Sequence, residues 1–132
     1  MKLSEYFENV SGRGVLATAS SEGNIDVAVY SRPHFIDEDT IAYIMTDRLT
    51  HSNLQSNPHA TYLFMESVEK HEGKRLYLTK VKEETDPEAI NRIVWRKTYT
   101  IPEDQKNERR FLVSFKIDRV LPLIREKEKN YA

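Results

Sequence analysis

At 132 residues, with 39% apolar and 31% charged side chains, the chain has the length and composition of one folded domain and too little apolar material for a second core. Twenty basic against 21 acidic residues leave no excess positive charge for a phosphate backbone, which argues against nucleic acid as a partner, and the absence of cysteine removes disulfides, thiolate metal centres and cysteine nucleophiles. The first residues lack the apolar core of a signal peptide, and no stretch approaches the roughly 20 apolar residues of a membrane span, so a cytoplasmic protein without a membrane partner is expected.

Leu3, Tyr6, Phe7 and Val10 recur at helical spacing, which predicts a short amphipathic helix within residues 1–12 that covers one end of the fold. From Gly14 the pattern turns to strand: residues 15–20, a turn at Ser21-Glu22-Gly23-Asn24, and a second strand read as continuous from Ile25 to Ile36. Asp37-Glu38-Asp39 marks the next turn. Residues 41–45 are apolar at every position, which predicts a strand buried on both faces.

A short helix over residues 50–57 is stopped by Asn57-Pro58. Strands over residues 59–68 and 75–81 follow, separated by a polar loop. Asp86-Pro87 is an N-cap followed by proline at the first helical position, and Ile90, Ile93, Val94 and Lys97 line one side of a helix over residues 86–97. The stripe reads as core, while Trp95, Arg96 and Tyr99 lie off it, available to a ligand or a partner. Residues 98–110 form a polar connection in which Arg109 and Arg110 pair with neighbouring acids, and Phe111, Val113, Phe115 and Ile117 alternate as a half-buried last strand that residues 120–124 extend past a bend. Residues 125–132 read as a flexible tail.

Six or seven strands with short helices form a mainly β fold, a barrel over residues 1–132 whose closure removes its edges. Apolar residues on both strand faces suggest that the outside is covered as well, most economically by another copy, so a homodimer is expected.

Candidate chemistry concentrates between Tyr30 and Pro58. A phosphate monoester needs a guanidinium, hydroxyl donors and free N–H groups at a helix start; Arg32, Thr46, Thr50, Ser52 and the amides around His51 supply those kinds of group. The plainer readings are Thr50 as an ordinary N-cap and Arg32 as a surface ion-pair partner. His34, His51, His59 and His71 are scattered without metal-ligand spacing; His59 opens a strand and His71 sits in a solvated loop. No nucleophile elbow, dinucleotide fingerprint or P-loop occurs.

The succession of residues 14–19, 22–28, 41–47 (Ile-Ala-Tyr-Ile-Met-Thr-Asp) and 53–61 (Asn-Leu-Gln-Ser-Asn-Pro-His-Ala-Thr) resembles the FMN-binding split-barrel family that includes the pyridoxamine 5'-phosphate oxidases. The resemblance covers about residues 12–82. It implies a Greek-key split barrel with FMN held between two subunits. Tyr30, Ser31, Arg32 and residues Met45, Thr46 and Asp47 would line the ring and ribityl chain, and Arg48, Thr50, His51, Ser52 and Asn53 would meet the phosphate. Many relatives carry a lysine before the Asn-Leu pair; here Arg48 and His51 are the available substitutes. Without a match to the oxidase's extended carboxy-terminal substrate segment, pyridoxamine-phosphate oxidase activity itself is not expected. The function implied is an FMN-dependent oxidoreductase acting on a small molecule, with NAD(P)H as a transient electron donor; the alternative is a non-enzymatic dimer that binds or senses a flavin or haem.

Overall fold

A computed structural model of the chain describes residues 1–68, 71–97 and 108–124, with side chains to Ile93 in the last helix. Helix α1 (Leu3–Asn9) precedes strands β1 (Gly12–Ala19), β2 (Ile25–Val29), β3 (His34–Asp37) and β4 (Thr40–Thr46). Helix α2 (Leu49–Ser56), strands β5 (His59–Glu66) and β6 (Gly73–Glu84), helix α3 (Pro87–Lys97) and strand β7 (Arg110–Pro122) complete the order. The strands form one antiparallel sheet in the order β2-β1-β5-β6-β7-β4-β3.

Local chemistry accounts for the turns. Gly23 takes φ +86° between β1 and β2, a conformation open to glycine at no steric cost, and its N–H donates to Ser20 O. Asp37 Oδ1 accepts from the Asp39 amide at 2.8 Å to turn β3 into β4. Asp86 caps α3 by accepting from the Glu88 amide at 3.0 Å, ahead of Pro87.

The long strand expected over residues 25–36 is two strands at opposite edges of the sheet. Residues 30–33 cross between them, because Pro33 has no N–H for a ladder and the chain must leave β1's side to reach β4's. Tyr62 fixes this crossing from inside: its ring is fully buried, and its hydroxyl lies 3.2 Å from Tyr30 O and 3.0 Å from Ser31 O, donating to this carbonyl pair.

Leu16, Tyr43, Met45, Tyr62, Phe64, Leu76, Leu78, Val113 and Phe115 gather inside the curl with Phe7 of α1 and Leu54 of α2. The amino-terminal helix covers one end as expected, with Phe7 against Phe64 at 4.9 Å between ring centroids. The two-sided burial of β4 is present, and the half-buried β7 is instead buried on both faces from Phe111 to Phe115. The reason is α3: Ile90 and Ile93 pack on Ala42, Ile44 and Leu112, the outward residues of β4 and β7. Two-sided apolarity here is therefore satisfied within one chain, and this part of the sheet gives no argument for a second copy. The readings of Val94, Trp95, Arg96, Lys97 and Tyr99 as side chains, of residues 98–107 as a connection and of 125–132 as a tail lie outside the described residues.

Two substitutions test this core. Gly14 leaves room for the Tyr62 hydroxyl, and a Cβ there would run into it. Gly14→Ala is expected to destabilise by about 1–3 kcal/mol through overpacking. Tyr62→Phe, which strips the donor from the crossing, should cost about 1 kcal/mol. Urea unfolding followed by circular dichroism reads both as a lower midpoint at unchanged slope; an unchanged midpoint in Tyr62→Phe would show that the crossing does not need the bond.

Candidate functional site

The eleven residues singled out from the sequence divide between the two ends of β1. Tyr30, Ser31 and Arg32 belong to the start of that strand, where the Tyr30 amide donates to Gly14 O and Arg32 Nη1 donates to Phe7 O at 2.7 Å and Glu8 O at 3.2 Å. The guanidinium thus closes the carboxy-terminal carbonyls of α1, where a cation is favoured. Helix α2 belongs to the other end: Asn53 Nδ2 donates to Thr18 Oγ1 at 3.1 Å and Ser56 Oγ accepts from the Ser21 amide. Gly14 and Thr18 are separated by about 13 Å of strand at about 3.4 Å per residue. Arg32 and α2 therefore do not converge on one phosphate within a protomer, and Tyr30, Ser31 and Arg32 lie in the crossing and not on a strand. The Tyr30 ring packs edge-on against Tyr43, whose own burial raises its phenol well above the ordinary range.

The remaining residues surround the start of α2. Met45 is inside the core. Arg48 is the N-cap residue, with no side-chain cap bond, so Thr50 is not the cap; its hydroxyl lies 3.5 Å from Asp26 Oδ2 on β2. The first-turn amides, which no intrahelical carbonyl satisfies, thus lack a side-chain acceptor from the cap position. Arg48 Nη2 pairs with Glu108 at 2.5 Å. Ser52 is exposed and Thr46 half-buried.

His51 is buried at the centre of a charged cluster. Its Nδ1 lies 3.0 Å from Asp47 Oδ1, its Nε2 lies 2.9 Å from Glu83 Oε2, and its ring stacks on Phe111 at 3.9 Å. Glu83 Oε1 also accepts from Lys80 Nζ at 2.9 Å and Gln55 Nε2 at 3.0 Å. Burial alone would raise the Glu83 carboxyl, and the hydrogen bonds from His51, Lys80 and Gln55 outweigh it, lowering it to about 2.

Sequence reading missed Lys80 and Glu83, and the cause is a β-bulge. In an even strand, residues three apart face opposite sides; here the β6–β7 register slips between Lys80 and Lys82, so Lys80 sits opposite Phe115 and Glu83 opposite Val113, both core residues. The slip turns both charges to the same side. The break of alternation at Lys80-Val81-Lys82-Glu83 was the available signal.

On the outer face away from α3, the sheet has little cover from the described residues. The cross-strand rows Val29–Val15–Leu63 and Val27–Ala17–Thr61 continue to Arg75 and Tyr77, and they share the outer side of β2, β1, β5 and β6. Ile25, Val27 and Val29 are 78%, 58% and 83% exposed, an apolar row turned outward on an edge strand. Among the described residues no group of His, Asp and Glu side chains is arranged to hold a metal ion, and no helix is long and apolar enough to cross a membrane.

No protein-family model matches the sequence, and no curated protein matches it. Solved structures do resemble it. An FMN-binding protein from Syntrophomonas wolfei subsp. wolfei is 22% identical, with 93% of this chain and 84% of that one covered at a TM-score of 0.74. A Lactobacillus delbrueckii protein provisionally assigned as a pyridoxamine 5'-phosphate oxidase is 17% identical, with 89% and 88% covered at 0.65. HutZ, the haem storage protein of Vibrio cholerae, is 14% identical, with 90% of each chain covered at 0.64. With its seven-stranded antiparallel sheet and three short helices, the chain has the split-barrel fold of the pyridoxamine 5'-phosphate oxidase-like, FMN-binding proteins.

Proposed function

We propose that the protein is a small dimeric flavoprotein that holds FMN between the start of α2 and the bare outer face of the sheet, and uses it as an oxidoreductase on a small molecule. The observation that carries the reading is the meeting of two unfinished surfaces: an uncapped helix start, suited to an anion, at the end of an apolar edge strand that no part of the described chain covers. The resemblance to an FMN-binding protein supports the same choice of ligand.

The donors at α2 fit a phosphate in kind. The first-turn amides, the hydroxyls of Thr46, Thr50 and Ser52, and the Arg48 guanidinium would hold it, with Arg48 giving up Glu108 and Thr50 giving up Asp26. Asp26 and Asp47 stand close to the same helix start and weaken its pull on an anion. Bound flavin would supply hydride and electron transfer, with a nicotinamide as the transient donor, while the chain's residues bind, orient and exclude water. A second copy laid on the Ile25, Val27 and Val29 row would bury that apolar surface and close the flavin's other side. The haem-storage neighbour gives the alternative its footing: the same platform used by a non-enzymatic module for haem or another planar ligand.

The absorption spectrum of the purified protein tests the cofactor. A flavin spectrum bleached by NAD(P)H is expected; a Soret band would select haem, and a colourless protein that does not quench FMN fluorescence on titration would end the flavin reading. Arg48→Ala should weaken FMN by about 1.5–3 kcal/mol, the worth of a charge-assisted hydrogen bond, or roughly ten- to a hundredfold. Arg32→Ala should leave FMN affinity unchanged and lower the urea midpoint, since its bonds go to α1. Light scattering should find a dimer that Val27→Asp converts to monomer; a monomeric native protein would remove the closing copy.

A further inference from the structure

The geometry points to a proton-operated latch: His51, protonated on both ring nitrogens, ties the first turn of α2 to β6 through Glu83, and loss of one proton releases that turn. A carboxylate oxygen accepts and cannot donate, so a ring placed 3.0 Å from Asp47 Oδ1 and 2.9 Å from Glu83 Oε2 needs a proton on each nitrogen to bond both. Removing the Nδ1 proton sets a lone pair against Asp47; removing the Nε2 proton breaks the bond to Glu83 and leaves that nitrogen only Gln55 Nε2, 3.1 Å away, as a donor. Asp47 is largely exposed and free to turn toward water, whereas Glu83 is held by Lys80 and Gln55 on a strand of the sheet. The strain therefore falls on His51 and the helix that carries it.

Every element packed on the ring contributes. Asp47 and Gln55 come from α2 and its approach; Lys80 and Glu83 come from β6, brought to one side by the bulge. Phe111 comes from β7 beneath the ring, with the Arg109 guanidinium 5.2 Å from the Phe111 ring centre, and the Arg48–Glu108 pair lies beside the same helix start. Lys80 and the two arginines oppose the imidazolium, and Asp47 and Glu83 favour it. Lys80 also reaches Leu54 O at 3.5 Å and Gln55 Nε2 donates to Glu83 at 3.0 Å, so β6 grips the helix at three points, and only the His51 link, the one nearest the helix start, depends on the ring's charge.

The sign follows from which forms bond. The His51 link is present while the ring is charged and is lost when the ring gives up a proton. On the acid side Glu83 contributes stability above the ordinary carboxylate range and loses it only as pH falls toward about 2. The latch is thus closed while Glu83 is ionised and the His51 ring carries both protons. Its opening loosens the turn whose amides face outward, so it bears on whatever anion that turn takes.

Two-dimensional NMR of the histidine rings and amide hydrogen exchange, recorded together from pH 5 to 9 on the full chain without ligand, test the latch. Exchange protection in residues 49–56, corrected for intrinsic rates and referred to β5, should fall by about tenfold or more as the His51 ring loses a proton. Glu83→Gln offers the ring a neutral amide and should remove the pH dependence while the strands keep their protection; His51→Gln should hold α2 at its released level throughout. A His51 ring that keeps one charge state across the range, α2 protection indifferent to the ring's titration, or an unaltered pH dependence in Glu83→Gln would each overturn the proposal.

Discussion

Curling a sheet hides its concave side and leaves the convex side to find cover, and this asymmetry governs the molecule. Inside, the aromatic residues of α1, β4, β5 and β7 fill the curl around Tyr62, which is fully buried. Outside, α3 lays Ile90 and Ile93 over β4 and β7. Burying two such side chains contributes about 1.5–3 kcal/mol each, which is a large share of the net stability of a small domain. The rows across β2, β1 and β5 receive no such cover from the described chain, and they carry valine, isoleucine, leucine and alanine where a solvated sheet would alternate to polar residues.

Much of this was legible in the sequence because it is local. Glycine and aspartate placed the turns at residues 23 and 37, Asp86-Pro87 placed the start of α3, and the continuous apolar run of β4 announced two buried faces. Less legible is a pattern that continues through a change of direction: β-branched and aromatic residues recur from Ile25 to Ile36 as in one unbroken strand, and Pro33 is the one sign that its ladder has to end. The same reading sets Arg32 beside Thr50, which the structure separates within a protomer. On an unbroken strand pairing into a neighbouring hairpin the two would be neighbours; with β2 and β3 at opposite sheet edges, they are separated by the length of β1.

The candidate site was less legible than the fold, for a physical reason. Donor and acceptor types can be read from single residues, but whether a donor is already spent depends on partners distant in the chain. His51 finds Glu83 32 positions away, Arg48 finds Glu108 60 positions away, and Asn53 finds Thr18 35 positions away. Each of these pairings withdraws a residue that looked free. The bulge between Lys80 and Lys82 compounds this, since it brings together two charges that strand periodicity assigns to opposite faces.

The two ends of the barrel consequently differ in kind. The α1 end is held by Arg32 on backbone carbonyls, by Tyr62 on the crossing, and by Tyr6, whose hydroxyl burial and Glu66 together hold in its neutral form. At the α2 end the helix is held by side chains that change charge, over a start that lacks a cap. A helix of eight residues has little stability of its own, so its order is set by Leu54 in the core, Asn53 on Thr18 and the carboxylates around His51. Of these three anchors the first two fix its carboxy-terminal half and the third acts at its start, beside the longer Thr50–Asp26 contact and the Arg48–Glu108 pair. Any ligand that takes the amides of that first turn must therefore compete with, or profit from, the charge on a single imidazole.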